Sequence, residues 1–335
     1  MTSIQRDRAL ASLQGLALGD ALGMPTQSMS PVEIQRFYGE IHRLTDAVPE
    51  QSIAPSMPAG AITDDTEQAL LLAHLLINGH GHIDPRALAD SLIAWETDMI
   101  ARGSFDLLGP STKLALEKVR AGEDPRTTGS TGTTNGAAMR VAPVGIAYPF
   151  GNPTALGDAV HESCMVTHDT RQGWEGATLV AAAASAGVDG YSTRDAVVAA
   201  IELVESLPER GHWAAKASVL ARSKEAVRGI RHRTGAEQLD YLRDVVGTSV
   251  DSTESVPAAL AIAYEFADDP MTGLYTAANL GGDTDTIAAM AGAIFGATHG
   301  TEAFDTEAVR TVEEVSHLEL RSIRDGLLEL RAGRL

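Results

Sequence analysis

The chain has 335 residues, with 26 basic against 45 acidic side chains and a net charge of −19, a balance that opposes binding to DNA, RNA or an anionic membrane surface. Apolar residues make up 44% of it but aromatics only 4%, so Ala, Leu, Ile and Val must form the core, in one large domain or two. The single cysteine, Cys164, excludes an internal disulfide, fits a reducing cytoplasm, and reads as a small core residue rather than a nucleophile.

From the N-terminus, the apolar run Ala9–Met24 predicts a helix over about 4–22. Gln14 and Asp20 interrupt it, Asp7 stands among its flanking arginines, and no small-residue cleavage site follows, so a buried helix is expected rather than a secretory leader. No stretch reaches the roughly 18 uninterrupted apolar residues of a membrane helix. Ser30-Pro31, Asp84-Pro85 and Asn152-Pro153 each pair an N-cap with a proline at the first helical position. The periodicity after them predicts helices ending near Tyr38, Ala101 and Val166. Residues 40–62, with three prolines, and 122–136, rich in Gly and Thr, read as loops. Further helices are expected over 66–78, 110–121, 171–187, 193–207, 211–229, 235–246, 255–268, 271–280, 286–299 and 306–331, the last one broken. Alternating β-branched strands are almost absent, and no repeat of solenoid length is present. An all-α fold follows, a single large domain over 1–335 with its long loops gathered at one face.

Two acidic clusters stand at helix starts in this scheme: Thr63-Asp64-Asp65-Thr66 and Gly281-Gly282-Asp283-Thr284-Asp285-Thr286. Their donors are all oxygens, the set that Mg²⁺ or Mn²⁺ selects; without Cys or His, zinc is the poorer guess. Mid-helix, Asp283 and Asp285 would point about 200° apart, but in a loop entering a helix they can converge. Either cluster alone reads equally well as an ordinary N-cap, with Glu67 completing a capping box behind Asp64. One cap needs one side-chain oxygen, however, and four carboxylates gathered at two helix starts would repel one another without a cation. Together they read as two halves of one metal site, and four carboxylates would balance two divalent ions. The Gly/Thr-rich loop reads on its own as a surface loop; it lacks the Gly-Lys-Ser/Thr ending of a nucleoside-triphosphatase loop.

With these clusters, Gly19-Asp20-Ala21-Leu22-Gly23, Asn135-Gly136-Ala137-Ala138-Met139-Arg140 and Thr167-His168 complete an ordered pattern. From about residue 8 to 300 the chain resembles the ADP-ribosylglycohydrolase superfamily, which includes bacterial hydrolases of ADP-ribosylarginine. The resemblance implies an orthogonal helical fold with a dinuclear Mg²⁺ or Mn²⁺ centre. Its ligands would be Thr63, Asp64, Asp65, Asp283, Asp285 and Thr286, with Asp65 and Asp285 also among the candidate catalytic residues. In relatives the ions hold the ribose hydroxyls beside the anomeric carbon. The segment Asn135–Arg140, with Asn135, Gly136 and Met139 as candidate contacts, would lie near the substrate phosphates, where N–H groups of the Gly/Thr-rich loop could cradle a pyrophosphate. His168 would lie near the distal part of the substrate, where the imidazole either stacks on a base or only caps carbonyls.

The chain departs from many relatives at Gln27, where they carry an acid. A glutamine can hold a water or a ribose hydroxyl but cannot act as a general base at neutral pH. Asp106 becomes the candidate base because relatives carry an acid in that region, with Asp98 and Glu96 as competitors and a helix cap before Pro110 as its structural alternative. The expected function is cytoplasmic, metal-dependent hydrolysis of the ribosyl C1 linkage of an ADP-ribosylated small molecule or protein by an activated water. Alternatives are a hydrolase of free nucleosides or ribosides, and a non-catalytic binder of ADP-ribose. An all-α isoprenoid synthase is disfavoured, since Asp64-Asp65-Thr66-Glu67-Gln68 stops short of Asp-Asp-x-x-Asp and aromatics are few. The oligomeric state is left open.

Overall fold

Three helices of almost wholly small and apolar sequence form the centre of the molecule: Ser3–Gly23, Arg171–Val188 and Thr284–His299. Every residue is buried from Ala9 to Gly23, from Gln172 to Val188 and from Thr284 to Thr298, as expected of helices apolar on all sides. The computed structural model describes residues 1–102 and 108–333. Among these residues there is no sheet, only the isolated bridges Thr134–Asp251 and Thr170–His212. No described helix is long and apolar enough to cross a membrane.

The first and third central helices touch backbone to backbone. Gly15 and Gly19, four residues apart, share one helical face. A Cβ on Gly19 would lie 2.1 Å from the Ala288 carbonyl oxygen, and one on Gly292 would lie 2.0 Å from the Gly15 carbonyl oxygen. One turn on, a Cβ on Gly23 would fall 2.4 Å from the Asp285 Cα. These missing side chains let Asp20 and Asp285 become neighbours.

The outer helices brace this centre. Pro257, inside the Ser252–Glu265 helix, cannot donate to the Thr253 carbonyl; Arg222 Nε does so instead, at 3.0 Å. That helix carries Ser255 to the site. At the C-terminus, Arg331 is wholly buried in the Leu320–Ala332 helix and donates to the carbonyls of Gly145, Ile146 and Tyr148, where the Ala142–Ala147 helix ends.

Several elements differ from the sequence expectation. Of 211–229 only Val219–Ile230 is helical, capped by Ser218. The preceding residues pair with the segment before Arg171, through His212 N–H to the Asp169 carbonyl (2.8 Å) and Arg171 N–H to the His212 carbonyl (3.0 Å). Over 235–246 a short helix, Ala236–Asp240, runs on into a π-type turn, Tyr241–Val246. The broken 306–331 segment is two helices, Thr306–Val315 and Leu320–Ala332. The short helices Gly136–Met139 and Ala142–Ala147, which follow the Gly/Thr-rich loop, were not anticipated.

Candidate metal centre and substrate cavity

The helix Asp64–Asn78 begins at Thr63, yet the Thr63 side chain makes no capping bond to its own helix. The cap comes from another helix. Asp20 accepts from Thr63 N–H at 3.0 Å, Thr66 N–H at 3.1 Å, the Thr63 hydroxyl at 2.8 Å and the Thr66 hydroxyl. The capping box expected of Glu67 does not form, because its carboxylate turns to Trp95 Nε1 and to Arg102 at 2.9 Å. Asp283 likewise stands at the N-cap of Thr284–His299 without capping it. The glycine pair ahead of it turns through the left-handed region, with φ of 83° at Gly281 and 80° at Gly282, and directs the Asp283 N–H to the Thr248 carbonyl at 2.7 Å. Both acidic helix starts therefore keep their carboxylates for something other than capping.

Carboxylate oxygens of Asp20, Asp65 and Asp285 lie within 4.8 Å of one another, all buried. Both oxygens of Asp285 and Oδ1 of Asp65 have no hydrogen-bond partner among the described residues. Around Asp65 Oδ2 gather the Thr63 hydroxyl at 3.2 Å and the Thr286 hydroxyl at 3.4 Å. Asp283 accepts from Asn135 Nδ2, which also donates to Ser255 Oγ at 2.9 Å. Burial first, and the neighbouring carboxylates second, push Asp64, Asp65 and Asp285 well above the usual carboxylate range. Burial also raises Asp20 and Asp283 to about 6, partly offset by their hydrogen bonds. Orphaned, buried, oxygen-only donors of this kind fit a hard divalent cation.

Beside the cluster opens a cavity of about 250 Å³. Its wall includes Gln27, Asn135, Gly136 and Met139 together with Asp64, Asp283 and Thr286, all expected from the sequence, and also Ser28, Thr134 and Lys113. Thr63, Asp65 and Asp285 are buried in the cluster and do not line this cavity. Gln27 carries a buried Oε1 with no partner among the described residues. His168 is not in the wall. Its ring is fully buried, and a Cβ on Gly136 would lie 2.8 Å from its Cε1. Among the described residues its ring is linked to the cavity through Thr134 Oγ1, at 3.0 Å. Burial, and then the Arg140 charge, hold its pKa well below 6.5, so the imidazole is neutral. Asp106 lies outside the described residues. Of its competitors, Glu96 pairs with Arg120 and Asp98 with Arg102 at 2.9 Å.

Sequence reasoning missed Thr134, Gln68 and the role of Asp20, and it placed Arg140 in a segment near the phosphates, whereas the side chain is wholly buried against Gln68. Gln68 Nε2 donates to Asp64 Oδ2 at 3.1 Å, and Arg140 Nη1 donates to Gln68 Oε1 at 2.9 Å. Burial lowers the Arg140 pKa to about 10, which leaves it charged at neutral pH. Two signals were available: an acid inside an otherwise apolar run, and a glutamine four residues after an aspartate, hence on the same helical face.

The sequence pattern of the family described as ADP-ribosylglycohydrolase matches residues 1–334. The uncharacterized protein YegU of Escherichia coli (strain K12) is 33% identical over 332 residues, 99% of each chain. ADP-ribosylarginine hydrolase Tri1 of Pseudomonas putida (strain GB-1) is 28% identical over 93% of this chain and 76% of its own. A solved ADP-ribosylglycohydrolase-related protein complex shares the fold with a TM-score of 0.72 and 26% identity over the whole of both chains.

Proposed function

The chain belongs to the ADP-ribosylglycohydrolase family and is a hydrolase of that kind, and from this premise we propose that it cleaves the ribosyl C1 linkage of an ADP-ribosylated substrate at a centre of two Mg²⁺ or Mn²⁺ ions. The observation that carries the metal reading is Asp285, whose two carboxylate oxygens are buried without a partner among the described residues, beside Asp65 and Asp20. Thr63, Asp64, Asp65, Asp283, Asp285 and Thr286 would hold the ions. Bound there, such cations supply Lewis acidity that orients ribose hydroxyls and acidifies water.

The remaining work falls to the chain itself. Glycoside cleavage passes through an oxocarbenium-like state and needs a positioned water and help for the leaving group. Asn135, held by Ser255, fixes the Asp283 carboxylate at the cavity wall. Gln27 offers its unpartnered Oε1 to a ribose hydroxyl or a water. Asp106 is the proposed general base, and Asp106→Asn is expected to slow hydrolysis at least about tenfold; near-normal turnover moves the base elsewhere.

A second reading has its own support. Gln27, in the cavity wall where many relatives carry an acid, changes the surroundings of the ribose and suits a free nucleoside or a small riboside. Mass-spectrometric turnover of ADP-ribosyl-arginine, ADP-ribosyl-serine, nucleosides and ribosides, with and without Mg²⁺ or Mn²⁺ and with Asp285→Ala as control, separates the two. Metal-dependent release from an ADP-ribosyl conjugate supports the first. Release from nucleosides or ribosides alone supports the second, and turnover that survives Asp285→Ala refutes the metal site.

A further inference from the structure

Behind the cavity wall runs a buried hydrogen-bond chain that ends at Thr134. Arg140, with no exposed surface, donates from Nη2 to Thr167 Oγ1 at 2.7 Å and to the Ser163 carbonyl at 3.2 Å. Thr167 Oγ1 lies 2.7 Å from His168 Nδ1, and His168 Nε2 lies 3.0 Å from Thr134 Oγ1. Thr134 is in the wall of the cavity, which Lys113 also lines.

The direction of every link is set from one end. A guanidinium has donors only, so Thr167 must accept from Arg140. The Thr167 hydroxyl is fully buried, and the one acceptor its proton meets among the described residues is His168 Nδ1. That nitrogen is therefore bare, and the ring proton sits on Nε2, aimed at Thr134 Oγ1. Reversing the chain would strand the Thr167 proton in the interior, which buried hydroxyls avoid. Because burial keeps His168 neutral, it does not carry a proton on both nitrogens. Having received a hydrogen bond from His168, the Thr134 hydroxyl has its own proton left for the cavity. The other arm of Arg140 has the same logic: it takes Gln68 Oε1, which turns the Gln68 amide N–H₂ to Asp64.

We propose that Arg140, Thr167 and His168 form a positioning relay that keeps the Thr134 hydroxyl proton free to donate into the cavity, where it would meet an oxygen acceptor of the substrate such as a phosphate. The substrate half of this inference rests on the ADP-ribosyl reading given above; the relay half does not. It also explains why a wholly buried histidine stands behind the wall without touching the cavity.

The relay is tested by ¹⁵N NMR of histidine in the whole, Mg²⁺-supplemented protein without ligand. His168 is expected as the neutral Nε2–H tautomer; an Nδ1–H tautomer or an imidazolium overturns the relay whatever the substrate. ADP-ribose affinity is then measured by calorimetry. Thr134→Val is expected to lose about tenfold, as for one hydrogen bond to a charged acceptor, and Thr134→Ser to retain wild-type affinity. Thr167→Val is expected to release the tautomer and to lose affinity several-fold, but to lose nothing further in the Thr134→Val background. Thr167→Ser, which keeps both bonds, serves as the folded control. Equal ADP-ribose affinity in wild type and Thr134→Val overturns the contact with substrate. An Nε2–H tautomer in a wild-type protein that ignores ADP-ribose supports the relay and refutes the ADP-ribosyl reading.

Discussion

Gly292→Ala should damage the metal centre without touching it. The added Cβ would lie 2.0 Å from the Gly15 carbonyl oxygen, whereas real Cβ atoms essentially never approach closer than 3.0 Å. The Ser3–Gly23 and Thr284–His299 helices must therefore separate by about 1 Å, and overpacking of this kind costs about 1–3 kcal/mol or more. Gly292 is roughly 10 Å along the helix from Asp285, so it offers the cluster no contact of its own. The opening is nevertheless felt there, because packed interiors transmit strain rather than absorb it. Asp20 rides on one helix, where it holds the start of the helix that carries Asp65, and Asp285 rides on the other; the carboxylate oxygens of all three lie within 4.8 Å of one another. Cation sites tolerate only about 0.2 Å of error in ligand distance, so even a third of that opening would weaken binding. Thermal melting and Mn²⁺ titration by calorimetry check both effects. The expected result is a lower melting temperature and at least tenfold weaker Mn²⁺ binding, while Gly151→Ala, which meets nothing within 4 Å, behaves as wild type. Wild-type Mn²⁺ affinity in a folded Gly292→Ala protein would refute the coupling of helix spacing to the site.

Three further outcomes are expected. In Mn²⁺-loaded protein, Asp20→Asn sets an amide donor against the N–H of Thr63 or Thr66, a buried mismatch costing about 1–3 kcal/mol; an unchanged melting temperature contradicts the interhelical cap. Mg²⁺ or Mn²⁺ at about a hundred times its dissociation constant should stabilise wild type by about 2.7 kcal/mol, seen as a higher melting temperature, and should leave Asp285→Ala unmoved though folded; an equal shift in the variant places the cation elsewhere. His168 has its pKa held well below 6.5 in the folded state, so the unfolded chain alone gains a proton as pH falls through that value and stability declines. By about pH 5.5 the decline should reach about 1.4 kcal/mol beyond that of His168→Gln in urea unfolding; parallel pH profiles for the two proteins would mean that His168 is not buried neutral.

What the sequence disclosed was what local chemistry controls. Ser30, Asp84 and Asn152, each followed by proline, are the caps of Pro31–Phe37, Pro85–Ala101 and Pro153–Cys164, because a cap and its proline act within one turn. The acidic helix starts were legible because crowded carboxylates have few bland explanations. In the sequence Asp20 is an acid within a motif and nothing more, since its role exists only across an interface between helices. The four-residue spacing of Gly15 and Gly19 is visible in the sequence, but the helix that fills their groove is not. The burial of His168 is hidden for the same reason: a histidine at a helix junction looks the same in sequence whether the loop in front of it is open or, as at Gly136, closed over the ring. Gly136–Met139 and Ala142–Ala147 are too short for a 3.6-residue period to declare itself.

The acidic helix starts bear on the charge of the centre as well. Asp64–Asn78 and Thr284–His299 both present their N-terminal ends to the cluster, each worth roughly half a positive charge. Five buried carboxylates face them, from Asp20, Asp64, Asp65, Asp283 and Asp285. Arg140, wholly buried and linked to Asp64 through Gln68, adds one positive charge. Fully ionised, the carboxylates would still exceed the helix ends and Arg140 by about three charges, a deficit that the fold could hold only with a cation or by taking up protons. In the dinuclear centre proposed above, two divalent ions would leave about one positive charge with every carboxylate ionised, which an anionic ligand such as hydroxide or a substrate phosphate would neutralise.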